Sequence, residues 1–172
     1  MTPTLHFSPG ACSLAPHIVL EEIGLPFHLA LVSTSDGSTR SPEFRKLNPK
    51  GRVPVLVSGA SVLTEAPAIL VHLAMTNPGR GLISESPDGL VRSIEWFNWL
   101  SGAVYAVAIR QVWRAETFTD VAEQHTDIIT KGQKNLASAF SQIETRLAVS
   151  DWAVGKTFTI VDPFIQSFPI QV

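Results

Sequence analysis

The residue best typed for nucleophilic chemistry is the single cysteine, Cys12, in the run Ser8-Pro9-Gly10-Ala11-Cys12-Ser13-Leu14-Ala15-Pro16-His17. A short apolar strand (Leu5, Phe7) leads into the Pro-Gly turn. Helical spacing follows at Leu14, Ala15, Ile18, Val19 and Ile23, stopped by Gly24, a residue type common after helix ends. Cys12 therefore lies near the first turn of a helix, where unpaired N–H groups and the positive end of the helix dipole favour a thiolate. Read as structure alone, one buried cysteine is a small hydrophobe. A second polar corner is Glu65-Ala66-Pro67, where a strand ends and a helix begins. Such a start offers N–H groups to an anion, and the Glu65 carboxylate is suited to accept from an ammonium. Its plain structural role is an acid stabilising a helix N-terminus. Val53-Pro54 interrupts a strand-like run, which makes the proline an edge or turn position.

Other chemistries find no support. His6, His17, His28, His72 and His125 are scattered without ligand spacing, so no metal site is expected. His17 reads as structural. There is no Gly-rich phosphate loop and no Gly-x-Ser-x-Gly turn. A dithiol cycle needs a second cysteine, and there is none.

The elements that must position these residues follow from periodicity. Phe27 to Val32 is mostly apolar, as a strand buried on both faces would be. Ser41-Pro42 opens a short helix through Leu47, and Asn48-Pro49-Lys50-Gly51 ends it. Val53 to Val57 and Ser61 to Leu63 form a hairpin, and Ala66 to Met75 is helical. The order β-α-β-α-β-β-α predicts a mixed sheet with helices on both faces over residues 1–77. Residues 78–87 have linker composition, and residues 88–172 read as all-helical. A long helix capped at Ser86-Pro87 carries Ile94, Phe97, Leu100, Val104 and Ile109 on its apolar face, with Trp96 and Trp99 beside it. A second runs from about Asp120 to Val149 with Ile128, Ile129, Leu136, Phe140, Ile143 and Leu147. Thr159-Ile160-Val161-Asp162, preceded by Phe158, has the form of a capping box.

Bulk properties bound the function. At 172 residues with 45% hydrophobic and 16% charged residues, the chain can bury a proper core. A net charge of −2 without a Lys/Arg run argues against nucleic acid or anionic membrane as the main partner. No run is long enough to span a bilayer and no export signal is visible. With a single cysteine, a reducing cytoplasm is the expected compartment.

Three further blocks join the Cys12 segment: Ile18 to Gly24, Asn48-Pro49-Lys50-Gly51-Arg52-Val53-Pro54-Val55-Leu56, and Leu63-Thr64-Glu65-Ala66-Pro67-Ala68-Ile69. Together with Phe158 to Asp162 they resemble, in order, the bacterial beta-class glutathione S-transferases. The resemblance implies a thioredoxin-like N-terminal domain, a helical C-terminal domain and a glutathione site in the cleft between them. It implies a cis bond at Val53-Pro54, against a default of about 5–6% for X–Pro bonds. The Val53 backbone would then pair with glutathione's cysteine. By the same resemblance Cys12 lies at the sulfur site, and Ser13, Arg52, Val53, Pro54, Glu65, Ala66 and Asn98 bind glutathione. Tyr105 and Ile109 would face the electrophile. The implied protein is a cytoplasmic, homodimeric, detoxifying transferase whose partners are glutathione and a small hydrophobic electrophile. A Cys12–glutathione mixed disulfide would add thiol transfer or peroxide reduction.

Departures from the family pattern define the alternative, a non-catalytic binding or scaffold protein. Ala66 stands where serine, threonine or glycine is usual, and Tyr105 and Ala106 stand where His and Lys are common. Arg40, Lys50 and Arg52 are each candidates to hold the glycyl carboxylate, and the sequence does not choose. Ten residues follow Asp162, where family members continue further. The helical domain is therefore expected to be truncated, with exposed apolar side chains among Phe164, Ile165, Phe168 and Ile170.

Overall fold

The computed structural model describes residues 1–168, which group into two compact units. The first is Met1–Ile83 together with the segment that begins at Phe158, and the second is Ser84–Thr157.

In the first unit, strands β1 (Thr4–Phe7), β2 (His28–Leu31), β3 (Val55–Ser58) and β4 (Ser61–Thr64) form one sheet in the order β2-β1-β3-β4. β1 and β2 are parallel, as the intervening helix α1 (Leu14–Ile23) requires; β3 is antiparallel to both β1 and β4. The central strands are the buried ones, with Leu5 and Val55 fully enclosed. β2 corrects the expectation of a strand buried on both faces. It is the sheet's edge, and Leu29 and Leu31 are exposed. β3 begins at Val55 because Pro54 has no N–H for the ladder.

Helix α2 (Pro42–Leu47) starts as its sequence dictates. Ser41 accepts a hydrogen bond from the Phe44 N–H at 3.2 Å, and proline occupies the first helical position. α3 (Ala66–Thr76) buries Ile69, Leu70 and Leu73, and α1 packs against it.

The second unit holds α4 (Gly89–Trp99), a π-helical stretch (Leu100–Ile109), α5 (Arg110–Trp113) and α6 (His125–Leu147). No strand occurs in it among the described residues. Its interior is Trp96, Phe97, Leu100, Val104 and Ile109 against Leu136, Ala139 and Ile143. The first long helix starts at Gly89, later than its expected cap at Ser86-Pro87. A side chain at Gly89 would bring Cβ within 2.2 Å of the Ser84 carbonyl, so glycine is required for the approach of that loop. Ile94, expected on the buried face, is exposed.

The segment after Phe158 is the largest correction. Helix α7 (Val161–Gln166) packs against α1 and so joins the first unit, although the sequence order assigned it to the helical domain. Its start is a capping box in practice: the Asp162 carboxylate accepts from the Thr159 N–H at 2.7 Å and the Thr159 hydroxyl at 3.0 Å. The Ile160 N–H donates to the Leu82 carbonyl at 2.9 Å, tying the segment back to the end of the first stretch. Phe164 and Phe168 are buried rather than exposed, 5.5 Å apart ring to ring, and Ile165 is half-buried. The contact with α1 supplies the cover that the sequence reading found missing. Ile170 lies outside the described residues.

Candidate functional site

Sheet register gathers the three chemical blocks. His6 of β1 stands opposite Val55 of β3, and Val55 stands opposite Thr64 of β4. The C-terminal end of β1, the N-terminal end of β3 and the C-terminal end of β4 therefore share one end of the sheet. Cys12 follows β1, Val53-Pro54 precedes β3, and Glu65 follows β4, so residues over fifty positions apart emerge together.

Cys12 is half-buried, and its thiol lies 3.8 Å from the Val53 carbonyl oxygen, to which it donates. The Val53-Pro54 bond is cis, as the family pattern implied. The turn that carries the cysteine is held by Ser8 and Ser13. The Ser13 hydroxyl donates to the Ser8 carbonyl at 3.0 Å and accepts from the Ser8 N–H at 3.1 Å. Ser8 in turn accepts from the Thr34 N–H at 3.1 Å. Ser13 is fully buried, so its side chain serves the turn, and its backbone is what remains for a ligand. Because that hydroxyl is turned to Ser8, it makes no capping bond to the first N–H groups of α1. Those N–H groups are taken by the turn, Leu14 donating to the Ala11 carbonyl at 3.0 Å and Ala15 to the Cys12 carbonyl at 3.3 Å, so the positive end of the helix dipole is what favours an ionised Cys12.

The second corner has the same lack of a side-chain cap. Glu65 precedes α3 without bonding the helix's first N–H groups. At φ 72 it is the one non-glycine residue with positive φ among those described. Such backbone costs about 1–3 kcal/mol and persists only where its surroundings hold it. The Glu65 carboxylate accepts from the Lys50 ammonium, which also donates to the Thr64 hydroxyl at 3.0 Å. Ala66 is buried and offers only backbone.

The loop between α2 and β3 connects the two corners. Buried Asn48 donates through Nδ2 to the Arg52 carbonyl at 2.7 Å and accepts at Oδ1 from the Lys50 N–H at 3.2 Å. Gly51, at φ 62, sits where a Cβ would come within 3.0 Å of the Thr39 carbonyl. The Arg52 and Arg40 side chains are exposed. Asn48 and Lys50 hold this loop and tie it to Glu65, and their only mark in the sequence is the turn composition Asn-Pro-Lys-Gly.

Asn98, Tyr105 and Ile109 are carried by the second unit. Asn98 is exposed near the end of α4, Tyr105 is half-buried in the π-helical stretch, and Ile109 is buried in the unit's interior. A cleft of about 450 Å³ in that unit, lined by Arg92, Trp96 and Arg146 among others, contains none of the residues proposed from the sequence to bind glutathione or face the electrophile. Arg146 stacks over Trp96 and Trp99 at 4.9 and 5.3 Å. No cluster of three or more His, Cys, Asp or Glu able to hold a metal occurs among the described residues, and no helix there is long and apolar enough to cross a membrane.

The chain has relatives of known family. Residues 9–76 match the family model for the glutathione S-transferase N-terminal domain. The chain is 33% identical over 168 residues to glutathione S-transferase GST-4.5 of Xanthomonas campestris, covering 94% of this chain and 78% of that protein. It is 29% identical over 164 residues to glutathione S-transferase GstA of Escherichia coli O157:H7, with the same coverage of 94% and 78%. A glutathione transferase homologue from Sulfitobacter, solved with bound glutathione, superposes with a TM-score of 0.89 at 25% identity, covering 96% of this chain and 80% of that one. The chain belongs to the glutathione S-transferase family.

Proposed function

We propose that the protein is a glutathione transferase whose thiol site is the sheet end that carries Cys12, Val53 and Glu65. The single observation that carries this reading is the convergence there of a thiol, a cis Val53-Pro54 bond and a polar corner at Glu65. Glutathione lies extended along that end. Its γ-glutamyl group sits at Glu65 and Ala66, its cysteine pairs with the Val53 backbone beside Pro54, and its sulfur lies near Cys12. Arg52 and the Ser13 backbone complete the glutathione set within this unit.

The chemistry needs a thiolate. The start of α1 supplies a positive dipole end, which lowers the cost of removing the thiol proton to solvent. The glutathione thiolate then forms a C–S bond to a small hydrophobic electrophile, and the leaving group departs with the bonding pair. Turnover with chlorodinitrobenzene and glutathione, absent in Cys12→Ala, is the expected result. Glutathione binding without turnover would favour a scaffold instead.

The Cys12 thiol itself favours a second activity. Its thiolate attacks one sulfur of oxidised glutathione, forming a Cys12–glutathione disulfide and releasing glutathione thiolate. Intact-mass analysis after incubation should show a single glutathionyl adduct, lost in Cys12→Ala; no adduct would remove this route. The active form is a homodimer, which sedimentation at micromolar concentration would contradict by giving a clean monomer.

A further inference from the structure

Lys50 is one of three basic residues that the sequence offers for the far, glycyl end of glutathione. The structure places its ammonium at the other corner, bonded to the Glu65 carboxylate and, at 3.0 Å, to the Thr64 hydroxyl. Both charged side chains remain about half or more exposed, at 47% and 64%. A pair that wet contributes little to folding, which is little reason for holding a lysine against a residue of positive φ. A lysine ammonium has three N–H donors, and Thr64 and Glu65 engage two. The third is left for a ligand oxygen. Beside it, the Glu65 carboxylate retains acceptor capacity for a ligand ammonium.

The corner thus presents one cation and one anion side by side, next to the N–H groups that open α3. An α-amino acid group carries the complementary pair, a carboxylate and an ammonium on one carbon. We propose that Lys50 is a specificity-determining residue: it takes the α-carboxylate of the γ-glutamyl group while Glu65 takes the ammonium. This inference rests on the glutathione reading above. It makes the pair a unit that selects ligands with an intact zwitterionic end. It supplies a charged partner where Ala66 offers only an N–H. Arg40 and Arg52 are left to the glycyl carboxylate.

Calorimetric titration of the full chain with S-methylglutathione and with its analogue lacking the γ-glutamyl α-carboxylate tests this. Lys50→Ala should weaken S-methylglutathione on the order of 5- to 30-fold, as expected for one charge-assisted bond. It should leave the decarboxylated analogue's affinity unchanged, and Lys50→Arg should recover most of the loss. Because Lys50 is exposed, the melting temperatures of the variants should match the parent's. Equal weakening of both ligands, or no weakening of either, would overturn the Lys50 assignment while leaving the glutathione site standing. Failure of the parent chain to bind S-methylglutathione would instead overturn the site reading, and the Lys50 assignment with it.

Discussion

The sheet end of the first unit and the helix pair of the second place polar side chains by different means. At the sheet end, strand register sets which loops emerge together, and backbone features set their directions: the cis bond before Pro54, the positive φ of Glu65 and the turn at Gly51. In the helical unit a residue's direction depends on accumulated rotation. There Leu100–Ile109 is π-helical, with i→i+5 in place of i→i+4 pairing. Each such turn takes in an extra residue, so residues beyond Leu100 do not keep the face that steps of 3.6 from Trp96 would give them. Chemistry at strand ends is therefore set locally, whereas chemistry on a long helix inherits every irregularity before it.

The sharpest test of this division concerns α7, which follows the helical unit in sequence and packs with the α/β unit. Phe164→Ala should cost about 3–5 kcal/mol in denaturant unfolding, as for other buried aromatics. A cost below about 1 kcal/mol would mean that α7 is not part of the first unit's core. Next in size is Gly51→Ala, which places a Cβ against the Thr39 carbonyl in a left-handed conformation. A loss of about 1–2 kcal/mol is expected, with weaker glutathione binding because the loop carrying Lys50 and Arg52 shifts. Unchanged stability and binding would show that this loop is not set by its backbone.

The smallest effect is a pH dependence. The His6 ring, 5.9 Å from that of Phe44, has a pKa held below its ordinary 6.5 by burial, and no hydrogen-bond partner reaches its buried Nδ1 among the described residues. The unfolded chain then takes up a proton on this residue before the folded one does. Stability is full above about pH 6.5 and erodes as pH falls through the lowered folded value. Melting between about pH 7.5 and 5 should therefore fall more steeply for the parent than for His6→Leu. Parallel curves would contradict it.

Much of the first unit was legible because each signal was short-range. Gly24 ends α1, Ser41-Pro42 opens α2, and Thr159 with Asp162 opens α7, each through bonds within a few residues. The family pattern supplied the cis bond, which periodicity alone would have left trans. What was missed is long-range. β2 reads as a buried strand because its composition is apolar, yet its neighbours leave it at an edge. α7 was assigned by sequence order, and only its packing on α1 shows where Phe164 and Phe168 go. Lys50 looked like one of three equivalent cations until a partner fifteen residues away fixed it at Glu65. The π-helical stretch has no marker in Leu-Ser-Gly-Ala-Val-Tyr-Ala-Val-Ala-Ile beyond a glycine that weakens the α-helix there.

The central claim is that ligand recognition begins at the sheet end, and backbone amide shifts recorded while glutathione is titrated into the isotopically labelled protein test it directly. The account predicts that the largest perturbations fall together on Cys12, Ser13, Val53, Glu65 and Ala66, with Lys50 beside them. Perturbations centred on the Arg92–Arg146 cleft of the helical unit, or none at saturating glutathione, would contradict it.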